Sequence, residues 1–229
     1  MRYIVPYSRI SSVIKVTDEG EQKYVEVSFG DFTDIVRHLC MSIEVDEDWY
    51  LRAYGSVAAA ISKSGFFRSA AHHFVVVGYL EGRHPFAPGS QAGKEVVPFS
   101  LIKSRLSVQP RRNGLLVRMP HRDFLDVIRS LISPISVDSH WYENEYPDAK
   151  KAISSGAVSS AEDHFLKTGY FEGCWPYRIE VDEAWYLKIY PNLKNALESG
   201  VIRSAEHHFR GWGYREGRSP SEGIPLEIY

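Results

Sequence analysis

Residues 181–220 read VDEAWYLKIYPNLKNALESGVIRSAEHHFRGWGYREGRSP. The same pattern opens at residue 45 as VDEDWYLRAY and at residue 137 as VDSHWYENEY. Both of these copies also continue into a His-Phe pair and a glycine-rich end. Internal self-similarity determines the architecture, so it has to be found before a fold is assigned. The pattern predicts three copies of one helical repeat, at 45–86, 137–177 and 181–220.

A longer duplication contains the first two copies. The segment VPYS at 5–8 returns as VPFS at 97–100, a shift of 92 residues from Val5 to Val97. The segment DFTDIVR, which begins at Asp31, returns with the same shift as DFLDVIR from Asp123. The sequence therefore predicts a tandem duplication of a two-part unit, followed by a third copy of its second part alone.

The first part of each unit has the pattern of a small sheet and a helix. The segment 10–16 has strand character, and 24–29 alternates between apolar and polar residues as a strand does. Asp31 is expected to cap the helix that follows. The duplicate predicts the same elements at 101–108, at 115–119 and from Asp123 onward.

The second part predicts three short helices. Aspartate is expected to cap the first helix and serine the third, because their short side chains accept hydrogen bonds from free amides. Glycine is expected to end the third helix in the left-handed conformation. The residues concerned are Asp46, Asp138 and Asp182, then Ser69, Ser160 and Ser204, and last Gly78, Gly169 and Gly213.

These patterns together predict an α+β protein. The first lobe would span 1–90, with a ββα piece at 1–44 and a helical repeat at 45–86. The second lobe would span 91–178, with a ββα piece at 97–135 and a helical repeat at 137–177. The third helical repeat and the tail would occupy 179–229.

Composition narrows the class of protein. The chain has 229 residues, of which 44% are hydrophobic and 24% charged, as in ordinary folded proteins. The net charge of -2 provides no general attraction to nucleic acid or membrane. Cys40 and Cys174 have no nearby thiol, which favours reduced cysteines in a reducing compartment. Without a signal-like or membrane-length apolar segment, we expect a cytoplasmic protein that does not insert into membranes.

The repeat resembles a short helical repeat found beside bacterial glycosyltransferases and in other polysaccharide-associated and RTX-type proteins. The shared features are Asp followed by aromatic-Tyr-Leu, then His-Phe, and a closing Gly-x-x-Glu-Gly-Arg-x-Pro. The chain departs from this pattern at Gly55-Ser56-Val57, where Pro-Asp-Val is usual, and at Cys174, where the arginine is usual. The resemblance covers about half of the chain and implies a setting in polysaccharide assembly or its control.

Two residue types recur in all three repeats and are interpreted as structural. One is the tryptophan of the first helix, for which we expect a largely buried position. The other is the histidine of the third helix, for which a hydrogen bond to a neighbouring carbonyl or hydroxyl is favoured over a ligand or base role. These residues are Trp49, Trp141, Trp185, His73, His164 and His208.

Two short motifs are also assigned to structure. Asp46-Glu47-Asp48 resembles a metal-binding Asp-x-Asp, but only its first aspartate recurs in the other repeats, as a helix cap requires and a metal pair does not. Glu81-Gly82-Arg83 recurs in the third repeat and predicts a turn with a local ion pair. No catalytic residue, metal ligand or cofactor is predicted.

A basic cluster in the second ββα piece is the predicted functional surface. Arginine binds phosphate and carboxylate in a bidentate manner, so the cluster is expected to contact an anionic partner. The alternatives are a solvated hairpin, or a face that docks on the first hairpin, which carries Asp18, Glu19 and Glu21 instead. The cluster comprises Lys103, Arg105, Arg111, Arg112, Arg118 and Arg122.

The function expected from these observations is a non-enzymatic binding or adaptor module associated with bacterial surface-polysaccharide synthesis or its regulation. Its partner would be a protein, including a polysaccharide-synthesis protein, or an anionic ligand. The alternative is a regulator that binds a nucleotide or nucleic acid through the basic hairpin at 103–122. Nucleic acid is the less favoured partner, because no aromatic residue interleaves the cluster to stack on bases.

Overall fold

A computed structural model describes residues 4–90 and 95–222 and has an α+β fold. Its sheet is antiparallel, with the strand order β1-β2-β4-β3. The strands are β1 (Lys15–Glu19), β2 (Gln22–Ser28), β3 (Ser107–Arg111) and β4 (Gly114–Pro120). The sheet thus joins strands from both of the lobes that the sequence predicts, with β2 paired to β4 at its centre.

The helices are short outside the sheet region, and the third helix of every repeat ends in a π-helical turn. Before and around the sheet lie α1 (Tyr7–Val13), α2 (Phe29–Cys40), α6 (Phe99–Lys103) and α7 (His121–Ile132). The first repeat contains α3 (Glu47–Ala53), α4 (Gly55–Ser64), α5 (Ala70–His73) and π1 (Phe74–Gly78). The second contains α8 (Ser139–Glu145), α9 (Pro147–Ser154), α10 (Ala161–His164), π2 (Phe165–Gly169) and α11 (Tyr170–Glu172). The third contains α12 (Glu183–Ile189), α13 (Asn192–Glu198), α14 (Ala205–His208) and π3 (Phe209–Gly213).

Apolar alternation in the central strands explains why two helices cover one face of the sheet. Val25 and Val27 of β2 and Val117 and Met119 of β4 are all buried and point to the same side, because side chains alternate along a strand. Both α2 and α7 pack on these strands. The opposite face carries the polar residues, as is usual for an antiparallel sheet with one covered side.

An ion pair lies at the centre of the sheet. Glu26 of β2 is directly opposite Arg118 of β4, and the shift of 92 residues makes these two positions counterparts of each other. The Arg118 guanidinium is 3.5 Å from the Glu26 carboxylate, 2.6 Å from that of Glu19, and 3.9 Å from the centre of the Tyr24 ring. Two identical charges at this position would repel each other, so divergence of the two copies into an acid and a base favours their pairing.

Reversing the charge of Arg118 is expected to destabilise the sheet. We expect Arg118→Glu to lower the free energy of unfolding by about 2 kcal/mol, because it places three carboxylates together on adjacent strands. The exchange Glu26→Arg with Arg118→Glu should recover about half of the loss. Urea unfolding measures both effects, with Arg111→Glu at the exposed turn as the control. Equal losses in the single and the exchanged variants would contradict this account.

The sequence-based boundaries at the start of each ββα piece are wrong. Residues 10–13 belong to helix α1, and the strand expected over 10–16 runs over 15–19 instead. Likewise 101–103 is helical and β3 begins only at Ser107. Each ββα piece is therefore preceded by a short helix. Two of the apolar residues that suggested strands, Ile10 and Ile102, are core residues of these helices.

The expected caps of the two long helices are also corrected. Ser28 caps α2, accepting a hydrogen bond from the Asp31 amide at 3.0 Å, while its hydroxyl donates to the Asp31 carboxylate. Helix α7 follows Pro120 and has no side-chain cap. Asp31 and Asp123 lie in the first turns of these helices, where a negative charge interacts favourably with the helix dipole.

The expected caps of the repeats are confirmed. The aspartate side chain before each first helix accepts a hydrogen bond from the amide of the tryptophan three residues later, at 2.9–3.0 Å. The amide of the same aspartate donates to the carbonyl of the proline at the end of the repeat, at 2.8–3.0 Å. These prolines are Pro85, Pro176 and Pro220. Each repeat is therefore closed on itself by its first and last residues.

The chain divides into two compact units. One unit, Val13–Ile135, contains the sheet, its two covering helices and the first repeat. The other unit combines Met1–Ser12 with Ser136–Tyr229 and contains the second and third repeats. Within it, Tyr170 and Tyr214 donate hydrogen bonds to the carbonyls of Val5 and Ile4, which hold the N-terminal segment against both repeats. Among the residues described, none of the helices has the length and apolarity needed to cross a membrane.

Candidate binding site

Each repeat is built around a buried tyrosine that is hydrogen-bonded to a histidine. The tyrosine follows the recurring tryptophan in the first helix, and its side chain is fully buried in all three repeats. Its hydroxyl lies 2.9–3.1 Å from Nδ1 of the histidine that ends the third helix. The pairs are Tyr50 with His73, Tyr142 with His164, and Tyr186 with His208.

The protonation of these pairs follows from their burial. Burial raises the pKa of Tyr50 to about 12, and it also raises the pKa values of Tyr142 and Tyr186. Burial, assisted by the charges of Arg83 and Arg218, lowers the pKa values of His73 and His208. In these two pairs a neutral imidazole is therefore hydrogen-bonded to a protonated phenol, which is a structural arrangement.

The glycine after each histidine has a different role from the one predicted. Gly78, Gly169 and Gly213 are not among the glycines with positive φ, so the expectation of a left-handed helix end is wrong. The left-handed residues are Gly82, Gly173 and Gly217, one turn later. At the first three positions an added Cβ would fall on the hydroxyl of the buried tyrosine. The tyrosine thus requires glycine, and the π-helical turn brings this glycine beside it.

The recurring tryptophans are less buried than these tyrosines. Trp49, Trp141 and Trp185 are partly exposed, whereas the tyrosine that follows each of them is fully buried. Trp141 and Trp185 pack against the cluster of buried residues formed by the second and third repeats. The fully buried tryptophan of this cluster is Trp175, which is 3% exposed.

The sheet separates the basic residues that the sequence grouped together. Arg111 and Arg112 lie at the β3–β4 turn, and both are exposed. Lys103 and Arg105 precede β3, and Arg122 follows β4, so these three belong to the other end of the β3–β4 pair. Seven residues of β4 separate the two groups, a distance of about 20 Å. Arg118 lies between them and pairs with Glu19 and Glu26 of the first hairpin.

The Glu-Gly-Arg turn forms the expected local ion pair. Arg83 and Arg218 donate from Nε to Glu81 and Glu216 at 3.0 and 2.6 Å. The guanidinium groups also lie over the rings of Tyr54 and Tyr190, 5.1 and 4.7 Å from the ring centres. This cation–π contact explains why arginine recurs at the end of these turns.

The second repeat lacks this arginine, and an arginine of the third repeat reaches the same turn. Cys174 occupies the position, and burial raises the pKa of its thiol. Arg215 of the third repeat donates a long hydrogen bond, 3.4 Å, to the Glu172 carbonyl. Burial raises the pKa of Tyr146, the counterpart of Tyr54 and Tyr190, and the charge of Arg215 acts against this rise. The residues on either side of Cys174, Gly173 and Trp175, face a space between the second and third repeats.

This space is an open cleft of about 480 Å³. Small-molecule sites in proteins typically range from about 300 to 1,000 Å³. Its lining residues are Tyr146, Gly173, Trp175, His207, Arg210, Gly211, Trp212, Tyr214 and Arg215. The cleft thus combines aromatic rings with two guanidinium groups and an imidazole.

Hydrogen bonds and ion pairs hold the walls of the cleft in place. Tyr146 accepts a hydrogen bond from the Trp175 amide at 2.8 Å. Arg210 forms an ion pair with Glu145 of the second repeat. The Arg215 carbonyl accepts a hydrogen bond from the Ser8 hydroxyl at 2.9 Å. Contacts within the cleft and contacts with Glu145 and Ser8 therefore hold its walls, as a preformed site requires.

Comparison of the three repeats separates residues that the fold needs from residues that it does not. Between the shared Phe and Gly of the π-helical turn, the first repeat has Val-Val-Val, the second has Leu-Lys-Thr and the third has Arg-Gly-Trp. Arg215 corresponds to Leu80 and Phe171. The same backbone thus forms without Arg210, Trp212 or Arg215, so the fold of a single repeat does not require these three residues.

The cleft was not predicted from the sequence, although a signal was present. The residues that recur in every repeat are the tyrosines, histidines and glycines of the scaffold. The signal was the concentration of departures from the pattern at 210–215 and at Cys174. Their convergence on one cleft depends on how the second and third repeats pack, which no spacing within one repeat encodes.

The Asp46-Glu47-Asp48 segment forms the cap and first turn of helix α3. Asp46 caps α3, and the Glu47 carboxylate accepts a hydrogen bond from the Ala71 amide at 3.4 Å. Within 4–90 and 95–222 no group of three or more His, Cys, Asp or Glu residues is placed to hold a metal ion.

Comparison with known proteins finds no matching family model, curated protein or solved structure.

Proposed function

We propose that the protein is a non-enzymatic binding module whose ligand occupies the cleft between the second and third repeats. The observation that supports this most strongly is that Arg210, Trp212 and Arg215 line one cleft and are absent from the equivalent positions of the other repeats. Side chains that the scaffold does not need, gathered around a preformed cavity, are the expected mark of a binding site.

The chemistry of the cleft supports binding rather than catalysis. Its described lining consists of aromatic rings, guanidinium groups, one imidazole and two glycines. Such groups hold a ligand by stacking and by charge-assisted hydrogen bonds. They do not include the nucleophile with an adjacent base, or the carboxylate pair, that hydrolytic chemistry uses.

The setting we propose is bacterial surface-polysaccharide synthesis or its regulation, either through direct binding of a glycan or as an adaptor. The support is the resemblance of the three repeats to the helical repeat found beside bacterial glycosyltransferases. We also propose that the chain arose by tandem duplication of a sheet-and-helix piece with one helical repeat. The recurring Tyr–His pairs and the Asp-to-Pro closure of each repeat support this origin.

Blocking the cleft tests the proposal. An added Cβ on Gly211 meets nothing within 4 Å, and larger residues occupy the equivalent positions Val76 and Lys167. We therefore expect Gly211→Leu to fold normally and to weaken ligand binding by about 100-fold, because the side chain occupies ligand space. Isothermal titration calorimetry would measure binding across neutral oligosaccharides, acidic oligosaccharides and nucleotides. Lys167→Leu is the matched control, at the same helical position away from the cleft.

Two results would overturn the proposal. The first is undiminished binding of a ligand by the Gly211→Leu variant, and the second is the absence of binding across all three ligand classes. The double variant Arg111→Glu with Arg112→Glu tests the alternative of an anionic ligand at the basic hairpin. Loss of binding in that variant, with normal binding in Gly211→Leu, would assign the ligand to the hairpin instead.

A further inference from the structure

We propose that the cleft binds a hexuronate unit of an acidic polysaccharide, with Trp212 packed against the sugar ring and Arg215 bound to its carboxylate. This inference rests on the proposed binding function and specifies the ligand class. It follows from three features of the cleft. They are one exposed indole, one guanidinium that has no acidic partner among the described residues, and contacts that support both side chains.

The indole of Trp212 is the exposed aromatic surface of the cleft. It is 52% exposed, whereas Trp175 and Tyr214 in the same cleft are 3% and 1% exposed. A pyranose ring has an apolar face of C–H bonds and a polar edge of hydroxyl groups. An indole matches the apolar face in size and shape, and it leaves the hydroxyl groups free to bind water or protein.

Two histidines hold this indole in place. The ring of His207 meets it edge-on with centres 6.0 Å apart, and the ring of His208 lies 5.9 Å away. His208 is itself fixed by its hydrogen bond with the buried Tyr186. The position of Trp212 is thus determined by the same Tyr–His pair that supports the repeat, so little side-chain entropy is lost when a ligand binds.

The charges of the cleft match a ligand with one negative charge per unit. Arg210 is neutralised by Glu145. Arg215 forms no ion pair in the described part of the chain, and its guanidinium donates only the long hydrogen bond to the Glu172 carbonyl. One unneutralised arginine suits a single carboxylate, which its planar group binds through two parallel hydrogen bonds. A nucleoside di- or triphosphate carries more charge than this arginine neutralises.

The backbone of Arg215 is fixed by the N-terminal segment. Its carbonyl accepts the Ser8 hydroxyl, and the hydroxyl of the preceding Tyr214 donates to the Ile4 carbonyl at 3.1 Å. Trp212 and Arg215 are separated by one turn of the chain, so a ring stacked on the indole can present its carboxylate to the guanidinium. This arrangement accounts for the pairing of an aromatic and a basic residue that occurs only in the third repeat.

The test compares a galacturonate tetramer with its methyl ester, which has the same sugar rings without the charge. For the parent protein, we expect esterification to weaken binding by about 10- to 100-fold, the usual worth of a charge-assisted hydrogen bond. Arg215→Phe introduces the residue found at the equivalent position of the second repeat, Phe171. This variant should bind the acid and the ester with the same weak affinity. In Trp212→Thr, also taken from the second repeat, the affinities for acid and ester should fall by the same factor.

The readouts are calorimetry and quenching of tryptophan fluorescence, with far-UV circular dichroism and thermal melting to show that the variants fold. Arg178→Leu removes a surface arginine of the same unit and should change nothing. If the parent binds the ester as tightly as the acid, and Gly211→Leu abolishes both, the uronate inference fails while the binding function stands. Binding of nucleotides or inorganic phosphate in preference to the tetramer, lost in Arg215→Phe, would also overturn the uronate inference. If neither the acid nor the ester binds, the uronate inference fails whatever other ligand the cleft holds.

Discussion

Trp175→Ala is expected to lower the free energy of unfolding by about 3–5 kcal/mol, the usual cost of truncating a buried tryptophan. The side chain is 3% exposed and contacts both the second and the third repeat. Its ring lies 5.6 Å from the ring centres of Phe209 and Tyr214, and it stacks on Trp141 at 6.5 Å. Removing it leaves a cavity where two repeats meet, so we expect the third repeat to lose its attachment first.

Urea unfolding followed by circular dichroism measures this effect, and an exposed residue of the third repeat provides the control. The Val201 side chain is 73% exposed. Val201→Ala should therefore change stability by less than about 0.5 kcal/mol, as surface substitutions do. A loss below about 1 kcal/mol for Trp175→Ala would contradict the role of this residue in joining the repeats.

Gly213→Ala is expected to lower the free energy of unfolding by about 3 kcal/mol, because overpacking a tight core displaces the surrounding side chains. The added Cβ would fall on the hydroxyl of Tyr186, which is fully buried and bonded to His208. Tyr186→Phe removes that hydroxyl and alone should cost about 1–2 kcal/mol, since His208 loses its partner. In the double variant the methyl group finds space, so we expect a loss smaller than the sum of the two single losses.

This thermodynamic cycle is measured by chemical denaturation of the four proteins. Gly211→Ala is the control, because its added Cβ meets nothing within 4 Å and alanine favours a helix over glycine by about 1 kcal/mol. It should therefore leave stability unchanged or raise it. Additive losses in the cycle would show that the glycine is required for another reason than the tyrosine hydroxyl.

Local patterns were sufficient to predict the elements of the repeats. The Asp and Ser caps of the first and third helices could be predicted because a cap depends on residues three positions apart. The two hairpins could be predicted from the alternation of apolar and polar residues and from their turn residues, although the predicted start of each first strand was wrong. Residues 10–13 and 101–103 belong to helices in which Ile10 and Ile102 are buried, and burial overrides the preference of a short segment for strand.

Features that depend on residues distant in the chain were decided by the tertiary structure. The pairing of β2 with β4 places Glu26 opposite Arg118. Arg118 is therefore neutralised by an ion pair and does not act together with the other residues of the basic cluster. The need for glycine at Gly213 follows from the hydroxyl of Tyr186, a contact across two helices. The cleft arises where two repeats meet at Trp175. The short helices could be predicted from the sequence alone, because their caps and turns depend on residues close together in the chain. The residues that line the cleft could not, because they depend on how the second and third repeats pack against each other.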